Sequence, residues 1–214
     1  MTARSYNFRK STGAALTLAV IALAGVAISA HVDRATAAAP AGGIHVGSPA
    51  PKFTLPNVAT GAATSLTDLG LDKKATVIMF IATRCPVSNA YNDRMETLAK
   101  AYMKKHIEFV GINANTTEPT EEVADHAKDH NFTFPVLKDA DNKVADLYDA
   151  HVTPETFVVD STGVIVYHGR IDNSMDPANV ASTDLSTALD DILAGKTVTK
   201  PETKAFGCSI KRAN

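Results

Sequence analysis

Cys85 stands at the predicted boundary between a buried strand and a helix. The apolar, β-branched run that begins at Ala75 has strand length, and apolar side chains recur at helical spacing at positions 87, 91, 95, 98 and 102. Pro86 suits the first helical position, so we expect Cys85 to cap the helix. Free backbone N–H groups and the positive end of the helix dipole favour a thiolate there, which is the nucleophilic form of cysteine.

Two neighbours of Cys85 add to its predicted reactivity. Arg84 places a cation one residue away, and the hydroxyl of Ser88 is expected to donate a hydrogen bond to the sulfur. The alternative is a buried cysteine that acts as a small apolar residue. The strand-end position, the proline and the arginine together favour the reactive interpretation.

The rest of the chain predicts an α/β fold with a central mixed sheet flanked by helices. Two short extended pieces, 51–56 and 64–69, are predicted to form an N-terminal hairpin. Strands and helices then alternate, before a second hairpin and a last helix that ends at Gly195. After Cys85, the predicted elements are strands at 107–112, 134–137, 156–160 and 164–168 and helices at 121–131, 143–150 and 185–193.

The first 39 residues have the composition of a secretory signal peptide. Arg4, Arg9 and Lys10 precede an apolar run at 13–30, and small residues suited to cleavage follow. An uncleaved membrane anchor is the alternative, and both imply an exported protein, periplasmic or secreted. We expect a linker at 40–50, a domain at 46–195, and a C-terminal tail at 196–214 that carries Cys208.

Composition excludes several classes of function. The chain has 21 basic and 23 acidic side chains, and removal of residues 1–39 takes away four basic and one acidic group, leaving a net charge near −5. No basic stripe remains for nucleic acid, and membrane contact is expected only if the leader is uncleaved. Two cysteines are too few for a disulfide scaffold but enough for one bridge.

Three stretches together resemble one fold family. They are Cys85-Pro86-Val87-Ser88, Val152-Thr153-Pro154-Glu155 before a hairpin, and the opening segment 46–55. They resemble the thioredoxin-like superfamily, in its redoxin or peroxiredoxin-like branch related to alkyl hydroperoxide reductase and thiol-specific antioxidant. The resemblance implies that Pro154 is cis and packs beside Cys85. It also implies that the backbone of Thr153 pairs with a substrate chain, with Pro86 and Pro154 beside it.

The departures from the family limit what can be transferred. Ser88 replaces the second cysteine of a Cys-x-x-Cys motif, so this motif alone cannot complete a dithiol cycle. Peroxiredoxins carry their peroxide-reactive cysteine at the position of Ser88, so their usual site is also missing. Met79 stands where thioredoxins have a buried acid that assists proton transfer.

A subset of exported peroxiredoxin-like proteins with Cys-Pro-x-Ser and a C-terminal Gly-Cys segment is more similar still. Cys208 lies in such a segment, between Lys204 and Lys211, which favour ionisation of its thiol. At ~3.3 Å per residue, the dozen or so residues between Gly195 and Cys208 reach roughly 40 Å, so the tail can fold back over the domain. We expect Cys208 to resolve an intermediate on Cys85 in place of the cysteine missing at position 88, whereas a structural disulfide and an unpaired thiol remain the alternatives.

The expected function is an exported thiol–disulfide oxidoreductase with no cofactor. Cys85 attacks the disulfide of a protein or a peroxide, and Cys208 or an external thiol reductant completes the cycle. One alternative is an unconventional thiol peroxidase that uses Cys85. The other is a non-catalytic binding module with a permanent bridge.

Weaker candidates have simpler interpretations. His151 lies three residues before Pro154, but a solvent-facing loop histidine is the expected outcome. Asp139 begins a short acidic turn, for which helix capping is favoured over calcium binding. No metal site is predicted.

Overall fold

A five-stranded mixed sheet forms the centre of the computed structural model, which describes Thr2 and residues 44–213. The strand β3 (Ala75–Phe80) is central, parallel to β4 (Ile107–Asn113) and antiparallel to β7 (Glu155–Asp160). The edges are β5 (Val136–Lys138) beside β4 and β8 (Ile165–Gly169) beside β7. The predicted mixed sheet is confirmed, and the predicted leader at 1–39 lies outside the described residues, apart from Thr2.

Helices cover both faces of this sheet, which explains why all six residues of β3 are buried. Side chains at 77 and 79 join one apolar cluster, and those at 78 and 80 join the other, as alternation along a strand requires. One face packs against α3 (Asn92–Met103), α4 (Thr120–Asp129) and α6 (Asp184–Leu193), and the other against α1 (Leu66–Gly70) and α5 (Lys143–Leu147).

The predicted N-terminal hairpin is present but shorter than expected. The strands β1 (Thr54–Pro56) and β2 (Ala63–Ser65) pair antiparallel. The extended prediction through residue 69 is wrong, because a helix begins directly after Ser65. The Ser65 hydroxyl oxygen accepts the Asp68 N–H at 3.1 Å, which caps that helix.

The single helix predicted after Cys85 is divided in two. The first piece, α2 (Pro86–Asn89), is four residues long, and α3 follows after a break at Tyr91. The Tyr91 N–H donates to the Ser88 carbonyl, three residues back, so the chain tightens there into a turn. The Ala90 carbonyl accepts from the Arg94 guanidinium, which replaces one bond of a continuous helix.

The segments that flank the predicted domain, just before β1 and just after α6, have defined backbone structure. The backbone at 47–50 hydrogen-bonds to 163–165, so this part of the predicted linker lies against the second hairpin. Gly195 takes a left-handed φ of 69° just after α6, as its predicted capping role requires. No helix in the described part of the chain is both long and apolar enough to cross a membrane.

The C-terminal tail folds back onto the domain as a short strand. The strand β9 (Cys208–Ser209) pairs antiparallel with β6 (Val152–Thr153), a pairing that sequence periodicity did not predict. Two residues are too few to display alternation, so only the fold itself identifies β9 as a strand. The tail therefore reaches the segment that precedes Pro154.

Candidate functional site

Cys85 caps α2, as the sequence predicts. The Ser88 N–H donates to Cys85 Sγ at 3.3 Å, and Pro86 occupies the first turn. Because α2 has only four residues, this direct bond, rather than a long helix dipole, is what the helix supplies. The Cys85 residue is 4% exposed, so its sulfur is covered from solvent.

The segment opposite Cys85 contains the cis proline implied by the resemblance. The Thr153–Pro154 bond is cis, and the carbonyl oxygen of Thr153 lies 3.4 Å from Cys85 Sγ, where it accepts the proton of the neutral thiol. Thr153 is also the register partner of Cys208. The backbone that the resemblance assigns to a substrate chain is therefore paired with the protein's own tail.

Close packing holds the tail over this segment. The ring of Phe206 meets Tyr91 edge to face with centroids 6.3 Å apart. A methyl group at Gly207 would collide with the Thr153 carbonyl, so only glycine allows the backbones to approach this closely. Ile210 is buried in the apolar cluster on the far side. The tail is thus a packed part of the domain.

The two thiols are not bridged, and their surroundings shift their pKa values in opposite directions. Burial disfavours the Cys85 thiolate, but hydrogen bonds from the Cys208 thiol and the Ser88 N–H outweigh it and lower the pKa of Cys85. The same bond to Cys85, together with burial, raises the pKa of Cys208, although the Lys211 cation opposes the shift. Cys85 is therefore the thiol that ionises first.

Arg84 and Ser88 lie at the site, but their side chains do not have the predicted contacts. The Arg84 guanidinium forms an ion pair with Glu122, with Nε 2.7 Å from a carboxylate oxygen, and is not directed to the sulfur. The Ser88 hydroxyl accepts the Ala82 N–H at 3.1 Å and so ties α2 to the end of β3. The hydrogen bond from Ser88 to Cys85 comes instead from its backbone.

Sequence reasoning missed Glu118. This carboxylate is buried, 2% exposed, and accepts the backbone N–H groups of Thr83 and Arg84 at 2.9 Å each. It therefore holds the turn that presents Cys85. The only signal in the sequence was an acidic residue in the polar loop after β4, and such loops usually face solvent.

The weaker candidates have structural explanations. His151 is exposed and lies 3.1 Å from Asp149, which confirms its solvent-facing interpretation. Asp139 accepts two backbone N–H groups at the start of α5, which confirms its capping role. No cluster of three or more metal-binding side chains occurs among the described residues.

Comparison with known proteins identifies related chains. The thiol-disulfide oxidoreductase ResA of Oceanobacillus iheyensis is 31% identical over 121 residues, which cover 56% of this chain and 62% of ResA. The thioredoxin-like protein YneN of Bacillus subtilis is 34% identical over 124 residues, 58% of this chain and 70% of YneN. This chain thus spans less than two thirds of the length of that ResA.

A crystal structure shares most of this architecture. It is an uncharacterized conserved protein from Geobacillus kaustophilus, 35% identical, with a TM-score of 0.75 over 79% of this chain and 93% of the other. This match, together with the similarity to the thioredoxin-like protein YneN, confirms the predicted thioredoxin-like fold. In addition, the family model for AhpC/TSA proteins matches residues 46–168, which is more than half of the sequence. This chain therefore belongs to the AhpC/TSA family.

Proposed function

We propose that this protein is an exported thiol–disulfide oxidoreductase in which Cys85 and Cys208 form the redox pair. The observation that carries the proposal is the pairing of β9 with β6, which puts Cys208 opposite Thr153, beside the Cys85 sulfur. The relatives named as thiol-disulfide oxidoreductases support the same reaction class. Reduction of one disulfide takes two electrons, and two thiols supply them when they form a disulfide, so the cycle needs no cofactor.

Cys85 performs the first step. Its thiolate attacks one sulfur of a disulfide in a protein substrate, the S–S bond breaks, and the second substrate sulfur leaves as a thiolate that takes a proton from water. The product is a mixed disulfide on Cys85. The lowered pKa of Cys85, which results from donors that outweigh burial, supplies the nucleophile. Pro86, Thr153 and Pro154 form the surface that contacts the substrate.

Cys208 performs the second step, because Ser88 has no sulfur. Cys208 loses its proton and attacks Cys85 Sγ, and the remaining substrate sulfur leaves as a thiolate. The substrate is then reduced to two thiols, and the pair is oxidised to a Cys85–Cys208 disulfide. An external thiol reductant returns the two electrons and the two protons.

Access to Cys85 requires movement of the tail. The residue is 4% exposed, and its neighbour Thr153 is paired with Cys208. A protein disulfide reaches the sulfur only after β9 separates from β6. Each turnover therefore includes opening and reclosing of the tail.

Reduction of insulin disulfides by the protein with a thiol reductant tests this cycle. Cys85→Ser is expected to abolish reduction, and Cys208→Ser to accumulate a mixed disulfide on Cys85 while multiple turnover falls. Ser209→Ala is the matched control, because this exposed neighbour contributes no thiol. If Cys85→Ser keeps full activity, the proposal is wrong. A bridge that persists until unfolding would instead support a binding module.

Export rests on the N-terminal composition. A positively charged start, an apolar run and small residues precede the domain within the first 39 residues. Mass measurement of the protein recovered from expressing cells is expected to find a chain that begins after residue 30 in an exported fraction. A full-length chain in the membrane fraction would favour the anchor, and a full-length cytoplasmic chain would contradict export.

A thiol peroxidase is the second candidate, and the burial of Cys85 favours it. A peroxide is small enough to reach a covered sulfur more readily than a protein disulfide. Attack by the Cys85 thiolate would break the O–O bond and leave a sulfenic acid, while the expelled alkoxide or hydroxide takes a proton from water to become an alcohol or water. The Cys208 thiol would then convert the sulfenic acid to the disulfide with loss of water. Peroxide consumption that requires Cys85 but not tail opening would favour this reaction.

A further inference from the structure

Glu118 is a buried carboxylate that accepts four hydrogen bonds. Two come from the backbone N–H groups of Thr83 and Arg84, and two from the side-chain amides of Asn113 and Asn115, at 2.5 and 2.9 Å. Burial raises the pKa of Glu118, but these bonds, with Asn113 the strongest, outweigh it and lower the pKa. The group is therefore a carboxylate at neutral pH and acts only as an acceptor.

Both amides are also bonded at their oxygen ends. Asn113 Oδ1 accepts from the buried Lys138 ammonium at 2.7 Å. Asn115 Oδ1 accepts the backbone N–H of Lys211, also at 2.7 Å. Each amide must therefore present its NH₂ group to Glu118 while its oxygen binds elsewhere.

One of these partners belongs to the tail. Lys211 follows Cys208 by three residues, and its carbonyl accepts the Thr116 N–H at 2.9 Å and the Thr116 hydroxyl at 3.0 Å. A continuous series of hydrogen bonds thus runs from Arg84, next to Cys85, through Glu118 and Asn115 to the tail.

We propose that Glu118 is a positioning residue that couples the turn before Cys85 to the docked tail. It touches neither sulfur, and it acts by holding the two cysteine-bearing segments in one arrangement. The consequence for catalysis rests on the proposed redox pair, whereas the mechanical coupling does not depend on it.

Replacement of Glu118 by glutamine cannot preserve this arrangement. Whichever way the new amide is oriented, its NH₂ group faces two donors, either Arg84 with Asn115 or Thr83 with Asn113. Rotation of the Asn115 amide to accept from the glutamine removes the acceptor of the Lys211 N–H. Rotation of Asn113 removes one of the two acceptors of the buried Lys138 ammonium and leaves only the Asn115 carbonyl. Any relaxation therefore leaves buried donors unpaired or releases the tail.

The first test measures how readily Cys85 and Cys208 form a disulfide with each other. The equilibrium constant for oxidation of the two thiols to the Cys85–Cys208 disulfide by oxidised glutathione is expected to fall at least about fivefold in Glu118→Gln. A fall of this size corresponds to the loss of one or more buried hydrogen bonds. Glu122→Gln is the matched control, because Glu122 binds the same arginine only through its exposed guanidinium. A constant within twofold of the parent in Glu118→Gln would overturn the proposal.

The second test uses Asn115→Ala, which removes the middle of the series while the Glu118 carboxylate stays. Amide hydrogen exchange is expected to accelerate at Lys211 and also at Thr83 and Arg84, on the opposite side of Glu118. Acceleration at Lys211 alone would show that the two segments are not coupled and would contradict the proposal. This readout keeps the proposal testable if Glu118→Gln fails to fold.

The two tests separate this proposal from the redox cycle. If the parent protein forms no Cys85–Cys208 disulfide, the proposed cycle fails, and amide exchange still decides the coupling. If the disulfide forms normally but Asn115→Ala does not change amide hydrogen exchange at Arg84, the coupling is wrong and the redox cycle stands.

Discussion

Cys85 and Cys208 lie side by side but are held by different kinds of structure. Cys85 lies between the central strand β3 and α2, is 4% exposed, and takes a hydrogen bond from a residue three positions along the chain. Cys208 lies on a two-residue strand, is partly exposed, and depends on contacts more than fifty residues away in sequence.

The more reactive of the two thiols is not the more accessible one. Donors beside Cys85 outweigh its burial and lower its pKa, while the bond to Cys85 raises the pKa of Cys208. The more reactive thiol is therefore the covered one, and the more exposed thiol keeps its proton. In the proposed cycle, the domain sets the pKa of Cys85, and separation of the tail from β6 sets when a partner reaches its sulfur.

Gly207→Ala is expected to expose Cys85 more than any other substitution considered. The added methyl group has no room against the Thr153 carbonyl, so the tail must move away from β6. In a Cys208→Ser background, the limiting rate of Cys85 alkylation at high pH is expected to rise about tenfold or more, because local opening governs access. Ser209→Ala in the same background is the control. An unchanged rate in Gly207→Ala would mean that the tail does not cover Cys85.

Phe206→Ala should have a smaller effect in the same direction. Its ring packs against Tyr91, and loss of an edge-to-face contact costs about 1 kcal/mol beyond the buried area. The alkylation rate of Cys85 is expected to rise by less than in Gly207→Ala. A larger rise would indicate that the aromatic contact, rather than the strand pairing, holds the tail.

Thr153→Val should change reactivity without opening the tail. Burial works against the Cys85 thiolate, whereas the Cys208 thiol, the Ser88 N–H and the Thr153 side chain lower its pKa. The Thr153 hydroxyl is buried and has no hydrogen-bond partner among the described residues, so it is free to donate to the thiolate. Removal of that hydroxyl is expected to raise the pKa of Cys85, measured from the pH dependence of alkylation. Thr156→Val is the control, because its hydroxyl is also buried without a hydrogen-bond partner among the described residues. Equal shifts in both variants would contradict the assignment.

Glu155, in the segment next to the tail, is expected to make the stability of the protein depend on pH in the acid range. Burial raises the pKa of Glu155, but bonds from His168 and from the backbone N–H groups of His151 and Val152 lower it below its usual 4.5. Its contribution to stability is therefore present above about pH 4.5 and is lost as pH falls through the lower folded pKa.

Urea unfolding between pH 3 and 6 measures this contribution. Glu155→Gln is expected to flatten the loss of stability in acid, whereas substitution of the exposed Glu121 by glutamine should leave the profile of the parent. A profile for Glu155→Gln as steep as that of the parent would show that Glu155 does not contribute.

The local part of the site was predictable from the sequence. The cap at Cys85 follows from Pro86 and the apolar periodicity around it, and these operate within one turn. The break at Tyr91 was not predictable in the same way, because it depends on the Arg94 side chain and on packing. Arg84 is adjacent to Cys85 in the sequence, but this did not predict its contact, because its guanidinium forms an ion pair with Glu122 on another helix.

The long-range part of the site was not predictable from spacing. Glu118 is 33 residues from Cys85 along the chain, and nothing in its polar loop indicates a buried acceptor. The tail was expected to fold back, but its register against β6 depends on Gly207 fitting against Thr153, which is a property of the folded backbone.

The most direct test of the central claim is a redox titration of the folded protein against glutathione, followed by peptide mass spectrometry of each state. We expect one two-electron transition that joins Cys85 to Cys208, reverses without unfolding, and is absent in Cys208→Ser. Two thiols that stay free under oxidising conditions, or a bridge that opens only when the protein unfolds, would contradict it.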